Sequence, residues 1–430
     1  MAKSAVRKTA ASHPFFSKKV GVSQALSPEQ AKQAFQQAYD AGNFALARQR
    51  ALNFAQTYPN VAQVWADAAA CAVHVEDWAG AIDSGLKAVA LDGKMLSALD
   101  ALSHAYGALR ERAQASAYGL KALQVREERF GRHIHEAWTV QSPPDFQSSR
   151  GRNVIAFSLF GGNSKYCETA VLNAQEQALI YPDWVCRFYV DQSVPSEICA
   201  RLIAEGTQVV IVDGAMRHWP GTMWRFAAYD DPTVDRVVFR DSDSVISAIE
   251  AAAVNAWVES GCAFHLMRDS ASHTELILAG LWGCARGSLP NMSGMIEHYL
   301  QNPPSSARFA DQYFLREYVW PYLKRNPTQV LTHDSLFGFF NAKPFPVATN
   351  PDDPIGNAEG VAFFEAPVAQ PDGTTVWWTV WDQAQSPERM ICRYPAVVEK
   401  QKICANLPRR YLQKINRDYV IRISMSPSET

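Results

Sequence analysis

The chain lacks several features that would settle its class at once. It has no apolar run of the roughly 20 residues that a membrane-spanning helix needs, so no transmembrane segment is expected. It has no excess of either charge: 41 Lys and Arg against 43 Asp and Glu leave a formal net charge of -2. A nucleic-acid partner is therefore not expected, because neutralising phosphates takes a concentrated cationic surface. It has no Cys-x-x-Cys pair, and its eight cysteines are scattered, mostly within apolar segments. That pattern suits reduced, buried thiols in a cytoplasmic protein better than a disulfide framework or a zinc site. It also lacks the Gly-x-x-x-x-Gly-Lys loop of P-loop nucleotide-binding proteins.

What is present is an ordinary globular composition, 47% hydrophobic and 20% charged, over 430 residues. That length exceeds what one core usually serves, so two or three domains are expected. Residues 1–26 mix Lys3, Arg7, Lys8, Lys18 and Lys19 with Phe15 and Phe16. Without the continuous apolar run and small-residue cleavage site of a signal peptide, they read as a solvated basic arm; peripheral attachment at the inner face of the membrane is the weaker alternative.

Residues 27–125 repeat with a period of 34, inside an expected helical domain of 27–140. Ala47, Ala81 and Ala115 fall in register, as do Ala38, Ala72 and Tyr106, then Ala51, Gly85 and Gly119, then Phe54, Ala88 and Ala122. Turns recur at one offset, in Gly42-Asn43, Glu76-Asp77 and Arg110-Glu111. Small residues at fixed points of a helix pair allow close approach, and this period and pattern resemble tetratricopeptide repeats. Trp65 fills the large first-helix position in the second copy, where Ala31 and Leu99 stand in the others; Pro59 closes the first copy and Gly93 the second. The resemblance implies a curved solenoid suited to protein–protein contacts, with a homo-oligomer left open. His133 and His135, two apart on a helix, face different sides and are not expected to share a metal. The Pro/Ser-rich stretch 141–152 reads as an exposed, cleavable linker.

From residue 153 the pattern alternates strand and helix. Apolar runs at 153–160, 184–190, 208–212 and 235–239 end at Gly161-Gly162, Asp191, Asp213 and Arg240-Asp241-Ser242-Asp243. Such alternation predicts a mainly parallel sheet covered on both faces, with ligands beyond the carboxyl ends of the strands. Gly161, Asn163, Asp191, Asp213, Asp241 and Asp243 fall on that rim. Two carboxylates one residue apart, past a buried strand, can hold Mn²⁺ or Mg²⁺ together with a substrate diphosphate.

Asp241-Ser242-Asp243 in this setting resembles the DXD motif of GT-A glycosyltransferases. The resemblance implies a GT-A-like, Rossmann-like α/β catalytic domain over residues 153–340 behind the all-α repeats. It implies a metal-dependent transfer from a nucleotide-sugar donor to a cell-surface glycan precursor or a protein acceptor. It makes His333 a candidate third metal ligand, with Asp334 second. Asp311, in an Asp-Gln step, and Asp269 become candidates for a catalytic base, and Arg225, Arg240, Lys165 and Arg268 for phosphate contacts; Gly280–Gly283 would line the acceptor side. Residues 341–430 read as an extension packed on the catalytic domain. It is expected to contain a hairpin of 360–364 and 375–381 around Pro371-Asp372-Gly373, and a surface helix at 406–419. Two other classes stay open: an interaction protein whose α/β domain is not catalytic, and another metal-dependent nucleotidyl or phosphoryl enzyme.

Overall fold

A computed structural model describes residues 27–130, 138–147, 151–302, 306–334, 336–340 and 342–426. The basic arm, His133 and His135 lie outside the described residues.

Six helices come first: α1 (Pro28–Asp40), α2 (Phe44–Thr57), α3 (Ala62–His74), α4 (Trp78–Leu91), α5 (Leu96–Ala108) and α6 (Arg112–Phe130). Each pair is one copy of the 34-residue period. The recurring turn residues start the second helices: Asn43 and Asp77 accept hydrogen bonds from the amides of Leu46 and Gly80, capping α2 and α4. Ala47, Ala81 and Ala115 are buried at the helix contacts, where a larger side chain would force the helices apart.

The second part alternates as expected, with β1 (Asn153–Leu159), α7 (Ser164–Ile180), β2 (Val185–Val190), α8 (Ser196–Ala204), β3 (Gln208–Ile211) and β4 (Arg236–Arg240). Two 3-10 helices, Gly214–His218 and Gly221–Asp230, separate β3 from β4. Then come α9 (Ala248–Ser260), β5 (Phe264–Arg268), β6 (Trp282–Ala285) and α10 (Met292–Leu300). Next, α11 (Ala310–Phe314) runs through a π turn into α12 (Trp320–Arg325), and β7 (Val330–Asp334) follows.

The seven strands form one sheet in the order β3-β2-β1-β4-β6-β5-β7. It is mixed, because β6 runs antiparallel to both β4 and β5. Alternate residues feed two cores. Val154, Ala156, Val237 and Phe239 face α10–α12, while Ile155, Phe157 and Val238 face α7, α9 and the C-terminal strands. All eight cysteines are free thiols. Among the described residues no helix is long and apolar enough to cross a membrane.

The C-terminal part differs from expectation. It holds β8 (Ala362–Pro367), β9 (Thr375–Asp382), β10 (Arg389–Val397), β11 (Lys402–Leu407), α13 (Arg409–Leu412) and β12 (Tyr419–Ser424). The expected hairpin does not form: β9 lies between β10 and β12, and β8 pairs with β11. Both edges of β9 are taken, so Pro371-Asp372-Gly373 links two sheets instead of folding one strand back on the other. The inward residues Val376, Trp378 and Val380 are buried, and Trp378 packs on Phe364 and Tyr394. The expected helix at 406–419 shrinks to α13, because β11 extends through Leu407.

The repeats are not held by the 141–152 stretch alone. Ser103 on α5 donates to the Ala271 carbonyl (2.7 Å), and Thr274 donates to Asp100 (2.8 Å). Buried Arg126 on α6 pairs with Asp100 (2.7 Å) and with Glu275 (3.2 Å) across the junction. The backbones approach so closely that a Cβ on Gly119 would stand 2.4 Å from the Ala271 oxygen. Leu123 joins the core of the sheet, and Trp138 donates to the Gly287 carbonyl (3.2 Å). This contact is the alternative to a freely swinging repeat domain.

Candidate active site

The site grows from the carboxyl end of β4. Chain direction changes at Asp241-Ser242-Asp243, and the bend is fixed from three sides. Buried Asn173 of α7 donates to the Ser244 carbonyl (2.7 Å) and accepts from the Ile246 amide (2.9 Å). Ser244 donates back to the Asp241 carbonyl (3.1 Å), and the Glu359 amide, from the C-terminal extension, donates to the Asp243 carbonyl (2.7 Å). A site held by buried hydrogen bonds needs little reorganisation to bind. The Asp241 side chain stays 51% exposed and that of Asp243 21%.

Both carboxylates face cations. Arg225, buried on the 3-10 helix Gly221–Asp230, donates through Nη1 to Asp241 Oδ1 (2.5 Å) and to the Arg240 carbonyl (2.7 Å). Its Nη2 donates to Asp311 Oδ2 (2.8 Å), and its own amide donates to Ser158 Oγ of β1 (3.0 Å). Lys165 Nζ lies 3.1 Å from Asp243 Oδ2. Burial works against the lysine charge, but Asp243 and Tyr166 together hold its pKa above the usual range. Burial also raises Asp311 to about 6, with Arg225 opposing the rise and Asp241 adding to it. Asp241 and Asp243 open into a cleft of about 580 Å³ lined also by Ser158, Tyr166, Arg225 and Arg308.

The structure brings Asp241, Asp243, Arg225, Lys165 and Asp311 together. Arg240 contributes only its carbonyl: its guanidinium turns inward, donating to the Phe239 carbonyl (2.9 Å) with Nε 3.7 Å from buried Glu250. Asn163 caps α7, accepting from the Lys165 amide, and lines a separate cavity of about 490 Å³ against the C-terminal strands. Asp191 accepts from the Ser193 amide and hydroxyl, and Ser193 Oγ accepts from the Gly161 amide, so it shapes the β1 and β2 turns rather than the cleft. Asp269 accepts from the Ile355 amide (2.8 Å), leaving Oδ1 buried without a partner, and burial lifts its pKa to about 6.

His333 does not reach the acidic pair. It sits on β7, three strands across from β4, and its Nδ1 is 2.9 Å from Nε2 of His265. Burial pushes His333 down to about 4 and holds His265 well below its usual value. These are neutral, interior imidazoles. Asp334 turns to the amides of Leu336 and Phe337 (2.8 and 3.0 Å) and lies 3.8 Å from Arg268, itself buried. Among the described residues, no group of three or more His, Cys, Asp or Glu is arranged to hold a metal.

Gly280, expected on the acceptor side, abuts the acidic motif. A Cβ there would lie 2.2 Å from Asp241 Oδ2. The Gln312 amide group sits between the Ile277 carbonyl and the Ala279 amide, at 2.9 and 3.2 Å, and so holds this loop. Arg308 and Thr222 were missed: both lie on 3-10 segments away from strand ends, where the sheet rule gives no signal. Tyr166, beside Lys165, was within reach of that rule.

No protein-family profile matches the chain, and no curated protein matches it. Among solved structures, the TPR2B-domain:pHsp70 complex of yeast Sti1 is similar over 23% of this chain and 80% of its own, at 20% identity and a TM-score of 0.23. A mutant of Thermobaculum terrenum O-GlcNAc transferase is similar over 59% of this chain and 56% of its own, at 12% identity and a TM-score of 0.29. Both likenesses are too distant to bear on chemistry, which rests on the geometry of the site.

Proposed function

We propose that this chain is a metal-dependent glycosyltransferase of the GT-A kind, taking a nucleotide-sugar donor in the cleft at Asp241 and Asp243. The observation that supports the reading most is that acidic pair, partly exposed at the end of a buried strand and facing a cleft with arginines on its wall. The residues fit a divalent ion. Their donor atoms are hard carboxylate oxygens, as Mn²⁺ and Mg²⁺ prefer, and the lack of a side chain at Gly280 makes room for the Asp241 carboxylate, which stays half exposed. When bound, the ion would supply Lewis-acid stabilisation of the departing diphosphate.

The chain's own groups would do the rest. Arg225 holds Asp241 and places a buried positive charge at the cleft wall, where low dielectric strengthens its pull on phosphate oxygens. Lys165 and Arg308 add further cationic donors. Both oxygens of Asp311 are engaged, by Arg225 and by the Gln312 amide, so its role in this reading is to hold Arg225. Asp269 does not line the cleft and its unpartnered oxygen is buried, so it holds the Ile355 amide and is not placed to accept the acceptor hydroxyl's proton. The acceptor is a surface-glycan precursor or a protein, and the repeats supply further protein contacts.

Thermal-shift titration with UDP, GDP, CMP or TDP, each with and without Mn²⁺, tests the reading. One nucleotide should stabilise the protein only with the ion, and Asp241→Asn or Asp243→Asn should abolish the shift and cut transfer by about two orders of magnitude or more. No ion-dependent shift with any nucleotide would favour an interaction protein.

A further inference from the structure

Two segments seat Asp241, and each has its other end on the repeats. The first is the helical run from Ala310 into the π turn Leu315–Val319. It carries Asp311, which holds Arg225 against Asp241, and, five residues later, Arg316. The guanidinium of Arg316 lies between two rings, its Cζ 4.1 Å from the centroid of Phe130 at the end of α6 and 4.1 Å from that of Tyr313. The second segment is the loop 271–280. Its start meets α5 and α6 at Ala271, Thr274 and Glu275, and its end, Gly280, touches Asp241. The two segments are also tied to each other. Arg316 Nη1 lies 3.4 Å from Glu275 Oε1, the oxygen that Nε of Arg126 approaches to 3.2 Å, and the Gln312 side chain bridges Ile277 and Ala279. Helix and loop therefore form one packed unit with the repeats at one end and Asp241 at the other.

We propose that Arg316 is a positioning residue for the acidic cleft, through which α6 of the repeats sets the geometry of Asp241; its effect on donor binding rests on the glycosyltransferase reading above. A guanidinium held between two ring faces and against a carboxylate is fixed in both plane and position. Asp311 stands on the same helical run, so a displacement at Arg316 carries it along. Arg225 follows, because its two nitrogens are held by Asp311 and Asp241. On the loop side the packing is just as close: the Gly280 backbone leaves no room for a methyl group beside the Asp241 carboxylate. A shift of the loop by a few tenths of an ångström changes the space in which that carboxylate can turn. A cleft braced from both sides binds with less ordering cost than one that must assemble around its ligand.

Four variants of the full-length protein test this. Phe130→Ala removes one ring of the stack and changes no charge, so its effect at the cleft cannot be direct electrostatics. Arg316→Gln removes the stack and the ion pair together. Phe130→Tyr keeps the ring, and Asn43→Ala deletes the cap of α2, weakening the repeats away from the junction. Amide hydrogen exchange is followed by mass spectrometry in 240–246, 276–281 and 310–316. Affinity for UDP, GDP, CMP and TDP with Mn²⁺ is measured on the same samples. In Phe130→Ala and Arg316→Gln, exchange in all three segments should speed about three- to tenfold and nucleotide affinity should fall by a similar factor. Phe130→Tyr and Asn43→Ala should match the wild type there. Unchanged exchange in both disrupted variants, an equal rise in Asn43→Ala, or faster exchange with unchanged affinity overturns the assignment. A wild type that binds no nucleotide with Mn²⁺ tells against the donor reading, and exchange in 240–246 then decides the positioning of Asp241 by itself.

Discussion

Asp311→Asn replaces a titrating carboxyl in the Arg225–Asp241–Asp311 group with a neutral side chain of the same shape. Two forces act on Asp311 in opposite directions. Burial, at 6% exposure, and the nearby Asp241 favour its protonated form; Arg225 at 2.8 Å favours the ionised one. Burial wins, moving the pKa from 3.8 to about 6. A carboxyl with a raised folded-state pKa stabilises fully below its unfolded value, and that contribution is lost as pH rises through the folded one. Wild-type stability due to Asp311 should therefore fall between about pH 4 and pH 7, by roughly 2 to 3 kcal/mol at ~1.4 kcal/mol per pKa unit. The asparagine variant has no such loss. Urea unfolding of both proteins at the two pH values gives the difference, in which titrating groups away from Arg225 and Asp241 cancel. The variant should gain roughly 2 to 3 kcal/mol on the wild type between pH 4 and pH 7. A change of opposite sign would mean that the arginine overrides burial and that Asp311 is an ordinary depressed ion-pair carboxylate.

Gly280→Ala places a methyl group 2.2 Å from the Asp241 carboxylate, so it should weaken Mn²⁺-dependent nucleotide binding while costing only about 1–3 kcal/mol in urea unfolding; unchanged binding would show that the loop yields. His333→Ala leaves the His265 ring without its buried partner and should cost roughly 1–3 kcal/mol of stability, with the Mn²⁺ requirement unaltered. A higher Mn²⁺ requirement would make His333 a ligand after all. Proteolytic nicking within 142–147, where the chain is largely exposed, should not release the repeats on gel filtration, because Ser103, Asp100 and Arg126 hold them to the 271–275 loop. A free fragment starting near residue 153 would refute that contact.

The legible parts of this chain are those in which chemistry is local. The period of 34 showed the repeat helices because close helix packing demands small residues at fixed offsets, and Asn43 and Asp77 marked helix starts because caps act within three residues. Runs of β-branched and aromatic residues located β1, β2 and β4, and the sheet rule then placed Asp241 and Asp243 on one rim. The rule failed for Arg240, whose strand parity turns it into the core toward Glu250, and for Asn163, used up as a cap.

Partner choice was not local. Whether β9 pairs with β8 or with β10 and β12 depends on competing edges far apart in sequence, and a turn such as Pro371-Asp372-Gly373 suits either outcome. His333 stood at a strand end like the acidic motif, but only the order of the strands sets it three places away and beside His265. The same holds for Arg225, Arg308 and Gly280, which reach Asp241 or its cleft from separate segments. Sequence by itself determined the repeat helices, the first strands of the sheet and the acidic pair, since backbone propensity and carboxylate chemistry belong to neighbouring residues. Tertiary structure decided which charges neutralise that pair and that the repeats lie against the 271–275 loop, because those are contacts between surfaces that no local pattern encodes.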